Sequence, residues 1–213
     1  MRKVFISTVP MQKTQAVKNR SRDFDLGDKD YKAPISYLLD ANIEPGDEIL
    51  ILTGTGTREW PQKNYAEWKA EFEDILKAHR ATAQFEEIVE PDFDRDNFNS
   101  DQDNLDSLTF SKFFKDVSDK IRDGDIIYAD VTYGMKCYTI AMMIALQYVS
   151  KACNDVEVKN LIYAQYFRGD QGKKPDCADI IDITSLLYLS SMVSRAEPGQ
   201  KGNMDAFLKL VIH

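Results

Sequence analysis

The stretch IIYADVTYGMKCYTIAMMIAL (126–146) carries the reading of the fold. IIYADVT (126–132) is a short β-rich run bounded upstream by the turn Asp123-Gly124-Asp125. Gly134 permits a tight turn, and a strongly apolar helix then runs from near Met135 to about Cys153. A strand passing through a short turn into a helix is half of a crossover unit, which implies a parallel sheet.

The same alternation continues on both sides. Upstream lie RKVFIS (2–7), the buried-type run EILILT (48–53) behind the turn Pro45-Gly46-Asp47, and Gln84 to Val89. Downstream lie NLIYAQYF (160–167) and a short IIDI (180–183). Helical spacing marks Tyr31–Ala41 (Tyr31, Ile35, Leu38 and Leu39 on one face, Pro34 in the first turn) and Asn64–Arg80 (Tyr65, Trp68, Phe72, Ile75, Leu76). It also marks Phe110–Ile121 (Phe113, Phe114, Val117, Ile121), Thr184–Arg195 and Asn203–Leu210. Gln12–Lys29 is polar and suggests no element, TGTGT (53–57) reads as the turn that ends the second strand, and 90–106 as an acidic, Asn-rich loop. The expected fold is α/β: a Rossmann-like, doubly wound, mostly parallel sheet with helices on both faces. Residues 1–183 form that domain and 184–213 a short helical C-terminal appendage.

Composition bounds the function. The chain has 213 residues, 43% of them hydrophobic, enough for one domain with a full core. With 27 Lys+Arg against 35 Asp+Glu the net charge is −8, which argues against a protein that coats long nucleic acid by bulk charge. A small anion site built from backbone N–H groups and local cations stays open. The acids are unevenly spread: residues 86–106 hold nine against the single base Arg95. MRKVFIST at the N-terminus has no apolar signal region, and Cys137–Val149 is shorter than the ~18–20 residues of a membrane span, so no membrane partner is expected. Cys137, Cys153 and Cys177 are an odd, widely spaced set with no CxxC, which points to reduced thiols and a cytoplasmic setting.

Ligands of doubly wound sheets sit at the carboxyl ends of the strands, where strand order reverses. That places Ser7, Thr8, Val9 and Pro10 beside Asp130, Val131, Thr132, Tyr133, Gly134, Met135 and Lys136, with Thr53 to Arg58 (Gly54 and Thr55 among them) on one flank and Tyr166 to Arg168 on the other. A helix N-terminus behind Gly134 offers free N–H groups to an anion. Lys136 adds a cation where a cation is unfavourable for the helix itself, which suggests a purpose. The plainer alternatives are a solvated lysine on a structural turn, capping by Ser7 and Thr8, and a simple turn at TGTGT. No GxGxxG follows the first strand, and no GK[ST] follows TGTGT. Asp92, Asp94, Asp96 and Asp103 fit a calcium-loop frame poorly, since Asn97 replaces its glycine. Gly169–Lys174 is either a lid or a surface loop, Asp155, Glu157 and Lys159 belong to a solvated strand start, and Met142-Met143 is core. No cofactor or metal is called for.

ADVTYGMKCYTIAMMIAL (129–146) resembles the D-[IV]-T-x-G-x-[RK] segment of the CARF family, the CRISPR-associated Rossmann fold sensors of type III antiviral systems. VFIST at the start is similar to that family's first strand, and the order of elements agrees from residue 2 to about 196. Tyr133 departs from the small polar residue of many relatives, and Lys136 stands where arginine is frequent. The resemblance implies a homodimer that binds cyclic oligoadenylate, such as cyclic tetra- or hexa-adenylate, across its two-fold axis. Ser7, Thr8 and Thr132 to Lys136 would meet the ring phosphates, and the ends of the second and fifth strands, with Arg168, the bases. Some relatives cleave the ring by attack of a ribose 2′-OH on the adjoining phosphate without a metal; Lys136 and Ser7 are then the catalytic candidates. The R-x4-6-H of fused nucleases is absent, as is H-x-E with PCxxC, so the chain reads as a free-standing CARF protein or the sensor part of a longer effector. Two other readings remain open at this point: a Rossmann-type enzyme or binding protein for an ordinary mononucleotide or phosphorylated metabolite, and an interaction module with a vestigial site.

Overall fold

β1 (Arg2–Thr8) lies at the centre of the sheet, parallel to β3 (Glu48–Gly56) on one side and to β5 (Ile126–Asp130) on the other. This computed structural model describes residues 1–13, 17–90, 107–168, 175–195, 199 and 201–211. Beyond β3 lies β4 (Gln84–Glu90), and beyond β5 lies β6 (Glu157–Arg168), both parallel to the centre. β7 (Pro175–Asp182) runs antiparallel to β6, and β2 (Lys18–Ser21) closes that edge parallel to β7. The order is β2-β7-β6-β5-β1-β3-β4, a mostly parallel seven-stranded sheet.

Successive residues of β1 feed opposite layers, as the pleat requires. Phe5 packs with Ile35, Leu39, Trp68 and Phe72 from α1 (Ile35–Asn42) and α2 (Glu59–Ala78), and stacks on Tyr128 at 4.8 Å. Val4 and Ile6 pack with Val117, Tyr138, Leu146 and Leu187 from α3 (Ser107–Ser118), α4 (Lys136–Ala152) and α5 (Thr184–Val193). The sheet is therefore covered on both faces, the Rossmann-like doubly wound α/β architecture. α5 is tied down by the Thr184 hydroxyl, which accepts the Leu161 N–H at 2.7 Å, and α6 (Lys201–Val211) ends the described chain. No helix among the described residues is long and apolar enough to cross a membrane.

Several local expectations are corrected. The polar stretch 12–29 contains β2, whose alternating exposed and half-buried residues need no apolar run because it is a short edge strand. The strand expected at 180–183 is twice that length, because the register with β6 extends β7 back to Pro175. Thr53, Gly54 and Thr55 are no turn: β3 continues through Gly56, held by β1 at Ser7 and Thr8 and by β4 from Glu87 to Glu90. Neighbours on both sides override the turn propensity of the glycines. α2 begins at Glu59, five residues before the expected Asn64, with Pro61 in its first turn where a missing N–H does no harm. α1 starts after Pro34, not at Tyr31; α3 spans Ser107–Ser118, not 110–121; and β5 stops at Asp130, two residues before Thr132.

Candidate functional site at the switch point

β1 leads to β3 on one side, and the chain returns to β5 on the other, so the order reverses between β1 and β5. Two chain segments meet there. The Thr8 hydroxyl donates to the Tyr133 carbonyl at 2.5 Å, and Gly134 takes φ +93°. A Cβ on Gly134 would stand 2.7 Å from the Thr8 oxygen, so both backbone conformation and space demand glycine. The Val9 N–H donates to the Gly54 carbonyl at 2.9 Å, extending the bond pattern of the sheet past β1.

Thr132 pins the turn from both directions. Its N–H donates to Asp130 Oδ1 at 2.8 Å, and its hydroxyl accepts the Ala164 N–H of β6 at 2.8 Å. Met135 caps α4 in extended conformation, its carbonyl accepting from the Tyr138 and Thr139 N–H groups. No side chain caps this helix start, and Lys136 and Cys137 are exposed. No ion pair among the described residues involves Lys136. An uncapped helix N-terminus therefore opens to solvent beside an ammonium group, a pairing whose combined field attracts an anion.

Behind the turn lies a buried polar row. Ser7 is in register with Thr53 on one side and Asp130 on the other, and each of the three is 1% exposed. All three point to the α1/α2 face, the side of Phe5, Ile51 and Tyr128 two residues earlier in their strands. Ser7 thus faces away from the turn that Thr8 clasps. Asp130 accepts the N–H of Thr132 and that of Ile35 at the start of α1, while its Oδ2 has no hydrogen-bond partner. Burial pushes the Asp130 carboxyl up to about 6, against the pull of those hydrogen bonds. Next to it, the Tyr133 and Tyr166 hydroxyls share a hydrogen bond, and the Tyr133 ring lies 5.8 Å from Trp68. Burial raises both phenols well above their ordinary range.

α2 braces the outer wall: Asn64 Nδ2 donates to the carbonyls of Pro10 at 2.7 Å and Gln12 at 2.9 Å, and Gln62 Nε2 to that of Gly56 at 2.6 Å. Of the expected site residues, Thr8, Val9, Thr132, Tyr133, Gly134, Met135 and Lys136 come together. Ser7 and Thr53 lie in the buried row, Gly54 and Thr55 inside the sheet, and Arg168 ends β6 across from Pro175. Sequence reasoning placed Asp130 at the start of the switch-point segment and Tyr166 on its flank without giving either a role, read Trp68 only as part of an apolar helix face, and did not single out Gln62 or Asn64. Among the described residues no group of three or more His, Cys, Asp or Glu is placed to hold a metal ion. The calcium-loop frame at 92–103 and the possible lid at 169–174 lie outside the described residues. A scan of protein-family models finds no match to the chain, and a search of curated proteins finds none either.

Proposed function

We propose that the chain is a cyclic oligoadenylate-binding sensor of the CARF type that acts as a homodimer in type III CRISPR antiviral signalling. The observation that carries this reading is the clasp of Thr8 on the Tyr133-Gly134 turn, which holds the open start of α4 and Lys136 at the switch point. A phosphate there meets backbone N–H groups and an ammonium in a protein whose overall charge repels longer polyanions. A second observation favours the dimer. From the same helix start an apolar stripe runs along the outer face of α4: Ile140, Ile144 and Tyr148 are 57%, 52% and 52% exposed. Successive i, i+4 residues on one face form a ridge of the kind that a two-fold copy covers.

The test is titration with cyclic tri-, tetra- and hexa-adenylate, with linear products followed over time in the absence of metal. One ring per two chains supports the reading. Lys136→Ala is expected to weaken binding about tenfold or more, the loss of one charge-assisted contact. Linear products would add ring cleavage, with Lys136 the first residue to substitute because Ser7 is buried away from the turn, whereas an intact bound ring leaves a pure sensor. Failure of every ring to bind at micromolar concentration overturns the reading. One mononucleotide bound per chain would instead mark an ordinary nucleotide site.

A further inference from the structure

Trp60 sits in the first turn of α2, just past the carboxyl end of β3 and therefore on the same rim of the sheet as the switch point. Its side chain is 38% exposed, whereas the other tryptophan, Trp68, is buried. Two ammonium groups lie over the Trp60 indole: Lys13 Nζ at 5.5 Å and Lys63 Nζ at 5.1 Å from the ring centroid. They arrive from different segments. Lys63 comes from the next turn of α2 and is paired with Glu59, while Lys13 belongs to the segment after β1 that Asn64 holds by Pro10 and Gln12. No carboxylate among the described residues pairs with Lys13.

An accessible indole face with cations beside it is the chemistry that recognises a nucleobase attached to a phosphate: the ring stacks, and the cation meets the anion. We propose that Trp60, Lys13 and Lys63 form a stacking platform for an adenine base of the bound nucleotide, an inference that rests on the reading of the switch point as an oligoadenylate site. Lys63, held by Glu59, stays in place. Lys13, without a carboxylate, leaves the ring when the base stacks and takes the adjoining phosphate. The platform adds base recognition on the β3 side of the sheet, where the sequence motif at 129–146 has no residue.

The experiment titrates wild type, Trp60→Ala, Trp60→Phe and Lys13→Gln with cyclic tetra- and hexa-adenylate, reading indole fluorescence and calorimetric affinity together, with thermal unfolding as the check on folding. Ligand is expected to quench the wild-type signal and to quench Trp60→Phe less, since there Trp68 reports alone, through its contact with Tyr133. Affinity is expected to fall about tenfold in Trp60→Ala and no more than about threefold in Trp60→Phe, which keeps a stacking ring. Lys13→Gln is expected to keep the quench and lose about threefold to tenfold in affinity, as one phosphate contact goes. Wild-type ring affinity in Trp60→Ala, or a quench in Trp60→Phe as large as in the wild type, overturns the platform and leaves the oligoadenylate site standing. No ring bound by the wild type overturns the site, and the platform with it.

Discussion

Thr8 and Gly134 show how two residues far apart in sequence set the geometry of one turn. Adding a single carbon at Gly134 meets Thr8 Oγ1 at 2.7 Å and forces a side chain into φ +93°. Gly134→Ala is therefore expected to destabilise the fold by about 1–3 kcal/mol, a fall in melting temperature of roughly 4–10 °C. Adding Thr8→Ala in that background relieves the steric part only, so the double variant stays below wild type in a thermal scan. Asp130 gives a second prediction. Its carboxyl titrates near 6 when folded and near the ordinary aspartate value of about 3.9 when unfolded, so the folded state holds the proton more tightly. Its contribution to stability is fully present below about pH 4, falls as pH rises through about 6 and is flat above, a loss on the order of 3 kcal/mol. Asp130→Asn keeps an acceptor for the Thr132 N–H and removes that slope; denaturant unfolding at pH 4.5 and 7.5 measures it. At this scale the motif residues were legible because strand, glycine and lysine follow one another directly. Asp130's unpartnered oxygen and the Tyr133–Tyr166 pair were not, because each depends on neighbours contributed by other strands and helices.

Among the elements, α4 is the one whose surface has two sides to explain. Its inner face, with Tyr138, Met142, Ala145, Leu146 and Val149, is core. Its outer face is also apolar, and Phe110 and Phe114 of α3 join Cys137, Ile140 and Ile144 around a groove of about 430 Å³. A helix apolar all round reads in sequence as simply buried, and only the packed structure separates the face inside the core from the face that the described residues leave largely exposed. Ile144→Glu should leave the fold intact, since the residue is 52% exposed, and convert a dimer to a monomer in sedimentation. A wild-type chain that sediments as a monomer at every concentration, with and without ring, would remove the dimer from the reading. Cys137 at the head of the stripe supplies an independent check, because a short bismaleimide is expected to join two chains there and to spare the half-buried Cys153 and Cys177. Two of the elements misread in sequence, β2 and β7, share one cause. Both are set by pairing across the far edge of the sheet, and pairing is non-local.

For the whole molecule, the net charge of −8 sets what the surface attracts. Duplex DNA and long RNA are expected to show no binding in a gel shift at about 150 mM salt, whereas a compact ring held by a few fixed donors persists there. Alternation of strand and helix determined the fold class from the sequence alone: buried strands joined by amphipathic helices have few ways to hide their apolar faces, and right-handed crossovers leave a handful of topologies. The position of the switch, and the two segments that meet there, followed from the same rule. Tertiary structure alone decided which atoms face the cleft. It buried both Ser7 and Thr8, aiming Ser7 to the α1/α2 face and Thr8 under the Tyr133-Gly134 turn, carried TGTG into the sheet as strand, and left the outer stripe of α4 and the indole of Trp60 exposed. The physical reason is that periodicity records which side of an element is apolar, whereas what lies opposite that side is settled only when distant segments pack against it.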